Sequence, residues 1–229
     1  MRRAPGQPYQ SASRQPNAWN IGRREVIAAL FGVILYGFLS HISLIFFVST
    51  NTLDAFLPGL LVPLLFGVIY GPWVGLIVGG FGFLLGDYVA SLWLNNLFWD
   101  NGYIFVGNFF GSSLANFRDL LGWNGIPGYM ANALIGMVAG LATVGARRRY
   151  NTLYALALVG ILSTIGITIA TAIVDYSAVL IYQSPYYRFN EATLAFFDTA
   201  LPNLLVALVL LPLLLWGTDA LGQWRNGGI

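Results

Sequence analysis

The chain has 229 residues, of which 57% are hydrophobic and 9% are charged, and its mean hydropathy is +0.70. An average soluble domain is about 25% charged, and so few charged residues cannot cover the surface of a 25.0 kDa globule in water. The composition therefore excludes a soluble monomer, a disordered chain and a coiled coil, and it predicts an all-α membrane protein.

Residues that carry out chemistry are scarce. The chain has no cysteine, which excludes a disulfide, a thiolate zinc site, an iron–sulfur cluster and a cysteine nucleophile. His41 is its only histidine, and all eleven basic residues are arginine, so a multi-histidine metal site, a Schiff base and a Walker-type lysine are also disfavoured. We therefore expect no enzymatic activity, no cofactor, no metal and no nucleic-acid partner.

Six apolar segments are predicted to span the membrane, since a transmembrane helix needs about 20 mostly apolar residues. They are residues 26–48, 55–70, 73–94, 129–146, 153–182 and 194–216. Only Gly71-Pro72 separates the second segment from the third. Proline cannot continue a helix but readily starts one, so spans two and three are predicted to form a helical hairpin.

The arginines predict the orientation. Six spans place both termini on one side, together with nine of the eleven arginines: Arg2, Arg3, Arg14, Arg23, Arg24, Arg147, Arg148, Arg149 and Arg225. By the positive-inside rule that side is cytoplasmic. We expect a flexible cytoplasmic tail at 1–22, one six-helix membrane domain at 23–217 and a short cytoplasmic tail at 218–229.

The loops predicted on the outer side are longer than the inner ones. The loop between spans three and four, residues 95–128, is rich in aromatic residues. Within it Phe110, Leu114, Phe117 and Leu121 lie on one face of a short predicted helix. Two compatible interpretations stay open: an interfacial helix, or a lid over an outward-facing site.

Small residues recur at four-residue spacing, a pattern that lets membrane helices approach closely. Gly71, Gly75 and Gly79 form such a stripe, which begins in the turn before span three. Asn132, Gly136 and Gly140 have the same spacing in span four. We expect these stripes to pack against each other. Ala28 and Gly32 in span one are also four apart; they either pack within the chain or form a groove for another protein.

Polar and aromatic residues gather at the predicted outer ends of the spans. Ionisable residues within spans are costly, and by default they suggest function. The candidate ligand-binding residues are His41, Asn51, Asp87, Trp93, Asn132, Asp175, Asp198 and Asn203. Other interpretations stay open: His41 as a hydrogen-bonded core residue, and Asp198 as an acid favoured by a helix N-terminus. The amides of Asn132 and Asn203 are expected to face the bundle, since lipid would leave them unpaired.

One stretch carries a resemblance to a known family. Residues 57–80 read LPGLLVPLLFGVIYGPWVGLIVGG and are followed by Gly86-Asp87; later come Pro127-Gly128-Tyr129, Asn132, Gly136 and Gly140. A proline-bearing second span, a Gly-Pro turn and a glycine-rich third span that ends near an acid resemble the substrate-capture (S) component of energy-coupling factor transporters. The size and the six predicted spans are also similar.

The resemblance implies a prokaryotic plasma-membrane subunit that takes up a vitamin or similar micronutrient from outside. It implies a transmembrane coupling subunit and two ATPases as partners; this sequence has no G-x-x-x-x-G-K-[ST] motif for ATP. Family members dock on the coupling subunit through an Ala-x-x-x-Ala motif at the start of the first span. The matching positions in this sequence are Ala28 and Gly32, so glycine replaces the second alanine. The alternative is a non-transporting structural subunit of a respiratory or photosynthetic membrane complex.

Overall fold

The computed structural model describes residue 19 and residues 21–40, 58–97, 126–146, 150, 152–182 and 189–225. It describes the backbone alone for residues 87–97, 145–146, 178–182, 189–191, 195 and 219–225. Every regular element in these parts of the chain is a helix. The predicted outer loops and the amphipathic helix at 110–121 fall outside the described residues, apart from the ends of 95–128 and 183–193, which belong to helices.

The helices follow the predicted segments closely. They are α1 (Arg23–Leu39), a 3₁₀ turn (Pro58–Leu60) leading into α2 (Leu61–Tyr70), α3 (Pro72–Leu97), α4 (Ile126–Gly140), α5 (Ala142–Ala146), α6 (Leu153–Tyr182), α7 (Phe189–Leu205), a π-helical turn (Val206–Leu210) and α8 (Leu211–Arg225). Helix α6 has the bounds of predicted span five. The last span begins five residues earlier and ends nine residues later than the predicted 194–216.

Among the described residues, three helices are long and apolar enough to cross a membrane by length and composition: Ile126–Val144, Leu153–Ser177 and Ala192–Thr218, with mean hydropathies of 1.3, 2.2 and 2.1. Two shorter apolar helices are Pro58–Tyr70 and Pro72–Gly86. The described part of the chain is therefore all helical, as predicted, and contains three candidate membrane-spanning helices.

The Gly71-Pro72 turn forms as predicted. Gly71 has a φ of 116°, a conformation that glycine adopts without the steric cost of a Cβ. Its N–H donates to the carbonyl of Gly67 at 2.8 Å and closes α2. Pro72 then begins α3, where its missing N–H costs nothing. The turn therefore joins α2 and α3 as a hairpin.

Helices α3 and α4 pack backbone against backbone through the predicted glycine stripes, and α2 joins them through Gly67. A Cβ added at Gly75 or Gly67 would overlap the carbonyl oxygen of Gly136, and one at Gly79 would overlap that of Asn132. At Gly140 an added Cβ would lie 2.6 Å from the Cα of Pro72. This confirms the predicted packing, and it leaves no space for a ligand between the helices at these glycine contacts.

Candidate functional site

Helix α6 carries a line of polar side chains through an otherwise apolar span. Thr164, Thr168, Thr171 and Asp175 are spaced by four, three and four residues, which places them on one face of the helix. Thr171 is 7% exposed and Asp175 is 2% exposed. The end of the line that carries the carboxylate is therefore inside the bundle.

Helix α7 lies beside α6 in the opposite direction. At one end the hydroxyl oxygens of Tyr176 and Thr193 are 3.2 Å apart. Farther along, a Cβ added to Gly160 would lie 3.4 Å from Cδ2 of Leu208. The two contacts define how the helices are aligned. Thr193 lies level with Tyr176 and Leu208 lies level with Gly160, so the two segments are antiparallel.

Asn203 is a buried amide on α7, the helix that lies beside α6. Its side chain is 1% exposed, and its Nδ2 donates to the carbonyl of Thr199 at 2.8 Å. It lies ten residues beyond Thr193, about 15 Å along the helix, which places it level with the middle of α6. We call this interface the polar seam: Thr164, Thr168, Thr171 and Asp175 of α6 with Thr193, Thr199 and Asn203 of α7.

The helix opposite the middle of α6 is irregular. Pro202 lies inside α7 and removes one backbone hydrogen bond. The π-helical turn at Val206–Leu210 follows within one turn. Single π-helical turns inside α-helices often occur at functional sites. The seam therefore borders a part of the span whose backbone departs from regular α-helical bonding.

Three polar atoms of α6 are buried without a hydrogen-bond partner among the described residues: Ser163 Oγ, Thr164 Oγ1 and Asp175 Oδ2. Buried polar groups are bonded in the great majority of cases. Thr164 and Asp175 belong to the polar seam, and Ser163 precedes Thr164. The seam consequently has hydrogen-bonding capacity that the described residues leave unused.

Asn132 lies at a different interface and has partners. The hydroxyl of Tyr36 in α1 donates to its Oδ1 at 2.5 Å, and its Nδ2 donates to the carbonyl of Gly128 at 2.9 Å. Tyr36 is 1% exposed and Asn132 is 8% exposed. The amide faces the bundle as predicted, and there it ties α1 to α4.

The structure brings only part of the predicted site together. Asp175 and Asn203 share the polar seam, whereas Asp198 is exposed on α7. Asp87 and Trp93 belong to α3, but their side chains are outside the described part of the chain, as are His41 and Asn51 entirely. The ligand site supported by the described residues is therefore the polar seam.

The predicted docking pair on α1 lies inside the bundle. Ala28 is 7% exposed, and a Cβ added at Gly32 would lie 2.6 Å from Val78 Cγ2 and 2.8 Å from Phe66 Cδ1. The alternative left open by the sequence, packing within the chain, is the arrangement found. The exposed side of α1 is formed by large apolar residues: Val26, Ile27, Leu30, Phe31, Ile34 and Phe38.

Sequence analysis missed Tyr36 and the seam threonines. A signal existed for each: Tyr36 follows Gly32 by four residues, and the threonines share a face with Asp175. Among the described residues no group of three or more His, Cys, Asp or Glu side chains is placed to hold a metal ion. Comparison with protein-family models, curated proteins and solved structures finds no match for the chain.

Proposed function

We propose that the chain is the substrate-binding membrane subunit of an energy-coupling-factor type uptake transporter in a prokaryotic plasma membrane. A vitamin or similar micronutrient enters from outside, and ATP hydrolysis takes place on partner subunits. The family assignment rests on the resemblance around the α2–α3 hairpin. The observation that supports ligand binding is the buried carboxylate of Asp175, whose Oδ2 has no hydrogen-bond partner in the part of the chain that the structure describes.

The buried carboxylate of Asp175 supports a binding function, because an unpaired charge does not stabilise a helix that has only a structural role. An ionisable group within a membrane costs several kcal/mol unless it is paired. A destabilising group of this kind is retained where function requires it, since functional sites often cost a protein stability. The polar seam concentrates such groups between α6 and α7, while α3 and α4 are closed by glycine packing.

The proposed topology has six spans, with α2 and α3 as the second and third and with both termini in the cytoplasm. In this orientation the Asp175 end of α6 faces outward, since Arg147, Arg148 and Arg149 precede the other end. In this topology the predicted outer loops at 95–128 and 183–193 are on the same side of the membrane as the Asp175 end of α6, which agrees with uptake from outside.

A coupling subunit is proposed to contact the exposed apolar face of α1. Ala28 and Gly32 are proposed to affect docking indirectly. Their small size lets α1 pack closely against the bundle, where Gly32 lies against Phe66 and Val78. A substitution that pushes α1 outward therefore alters the surface offered to the partner.

The second candidate is a structural subunit of a respiratory or photosynthetic complex. One observation favours it: the amide of Asn132, a predicted ligand group, is bonded to Tyr36 and to the carbonyl of Gly128 within the chain.

Purification of the tagged full chain from membranes of its native host separates the two functions. The transport proposal expects an ATPase with a Walker motif and a second membrane protein to co-purify. It also expects uptake that depends on ATP. Recovery with respiratory or photosynthetic subunits, and without an ATPase, contradicts it.

A further inference from the structure

We propose that the polar seam binds the positively charged group of an organic ammonium ligand, with Asp175 as its counter-ion. This inference rests on the proposed function and names the chemical class of the substrate. It is carried by the charge, burial and neighbours of Asp175.

The carboxylate has no positive partner within reach among the described residues. Asp175 is 2% exposed and its Oδ2 is unbonded. Arg24 lies near the opposite end of the bundle, with its guanidinium 5.5 Å from the ring centre of Tyr70. Tyr70 adjoins Gly71-Pro72, and Pro72 packs against Gly140 at the far end of α4. A buried charge is stabilised when a charge of opposite sign pairs with it, and a cationic ligand can supply that charge where the described residues do not.

Aromatic rings gather at the same end of the seam. The rings of Tyr176 and Phe196 are 6.3 Å apart, and those of Phe196 and Phe197 are 5.3 Å apart with an edge-on arrangement. The faces of aromatic rings attract cations. Asp175 precedes Tyr176 in α6, so the carboxylate and the rings belong to the same end of the helix pair, an arrangement that suits an ammonium group attached to an organic body.

The other polar groups of the seam also favour a donor-rich ligand. The hydroxyls of Thr171 and Thr193 and the carboxylate can all accept N–H bonds. An anionic ligand needs positively charged donors, and the described seam holds no arginine. A hard metal ion such as Ca²⁺ needs six or more oxygen ligands, whereas an ammonium group needs one carboxylate and a few acceptors.

In the ligand-free protein the described residues leave the buried carboxylate of Asp175 uncompensated. Asp175→Asn is therefore expected to raise the melting temperature of the purified full chain. A lower melting temperature shows that Asp175 has a stabilising partner within the protein, and that result overturns the inference. Co-purification with ATPases is unaffected by either outcome, so the proposed function and this inference fail separately.

The binding test uses phenethylammonium as probe, with 3-phenylpropionate as an anion of similar body and sodium at the same ionic strength. Phenethylammonium is expected to raise the melting temperature of the wild-type chain, and the other two are not. In the Asp175→Asn variant phenethylammonium should no longer raise the melting temperature, and its affinity should fall by about tenfold or more. Asp198→Asn, which removes an exposed acid of α7 outside the seam, should retain both the shift and the affinity.

Three results overturn the inference: no shift with phenethylammonium, an equal shift with 3-phenylpropionate, or an undiminished shift in Asp175→Asn. Should Asp175→Asn be produced in too small an amount for binding measurements, Asp175→Ser is judged by the binding criteria alone. The wild-type comparison of cation with anion decides the charge preference without any variant.

Discussion

Tyr36 of α1 and Asn132 of α4 form a buried hydrogen bond, in which the tyrosine hydroxyl donates to Oδ1 at 2.5 Å. The two residues are 96 positions apart. The ring of Tyr36 lies against α3, because a Cβ added at Gly82 would be 2.8 Å from it. One side chain thus joins α1, α3 and α4 on the side of the bundle that the polar seam does not use.

Loss of this hydrogen bond should destabilise the chain. Tyr36→Phe leaves Oδ1 of Asn132 buried without its partner, at a cost of about 1–3 kcal/mol. We expect a lower melting temperature in detergent, measured by circular dichroism. Tyr154→Phe removes a hydroxyl from a side chain that is 69% exposed and is the matched control. Equal stability of the two variants contradicts the structural role of the pair.

The glycine contact between α3 and α4 should not tolerate a methyl group. Gly75→Ala places a Cβ on the carbonyl oxygen of Gly136, so the helices must separate. We expect lower thermal stability although alanine is the better helix former by about 1 kcal/mol. Gly217→Ala has no heavy atom within 4 Å of the added Cβ, and it should be neutral or stabilising. A Gly75→Ala protein as stable as wild type refutes the close packing.

Gly32→Leu should act on the isolated chain, because Phe66 and Val78 already occupy the space beside Gly32. Overpacking of this kind costs about 1–3 kcal/mol, and it is measured as a lower melting temperature without any partner. Ile27→Leu, at a position that is 58% exposed, is the control on the same helix. Unchanged stability of Gly32→Leu indicates that the residue is accessible to a partner.

The six-span topology predicts where single cysteines react, in a chain that has none of its own. Cysteines at Ser13, Thr152 and Asn226 should be labelled by a membrane-impermeant maleimide only from the cytoplasmic side. Cysteines at Gly102 and Ser184 should be labelled only from outside. Labelling of position 152 from outside rules out the proposed topology.

The elements that sequence analysis predicted well are those fixed by local chemistry. The break at Gly71-Pro72 and the glycine stripes follow from the backbone properties of single residues. Helix α6 followed from the length of its apolar run. Each of these signals is contained in a short stretch of sequence.

The candidate site was harder to predict because burial depends on which helix faces lie together. Asp175 and Asp198 look alike in sequence, yet one is 2% exposed and the other lies on the exposed side of α7. Asn132 and Asn203 were both expected inside, but only Asn203 lies in the seam. The partner of Asn132, Tyr36, is contributed by a helix far away in sequence.

Mass spectrometry of the small molecules released from the purified chain tests ligand binding most directly. The wild-type protein from its native host should release one cationic, amine-bearing compound in near-stoichiometric amount. Asp175→Asn should lose this compound, and Asp198→Asn should retain it. Release of lipid alone from all three proteins contradicts substrate capture and favours a structural subunit.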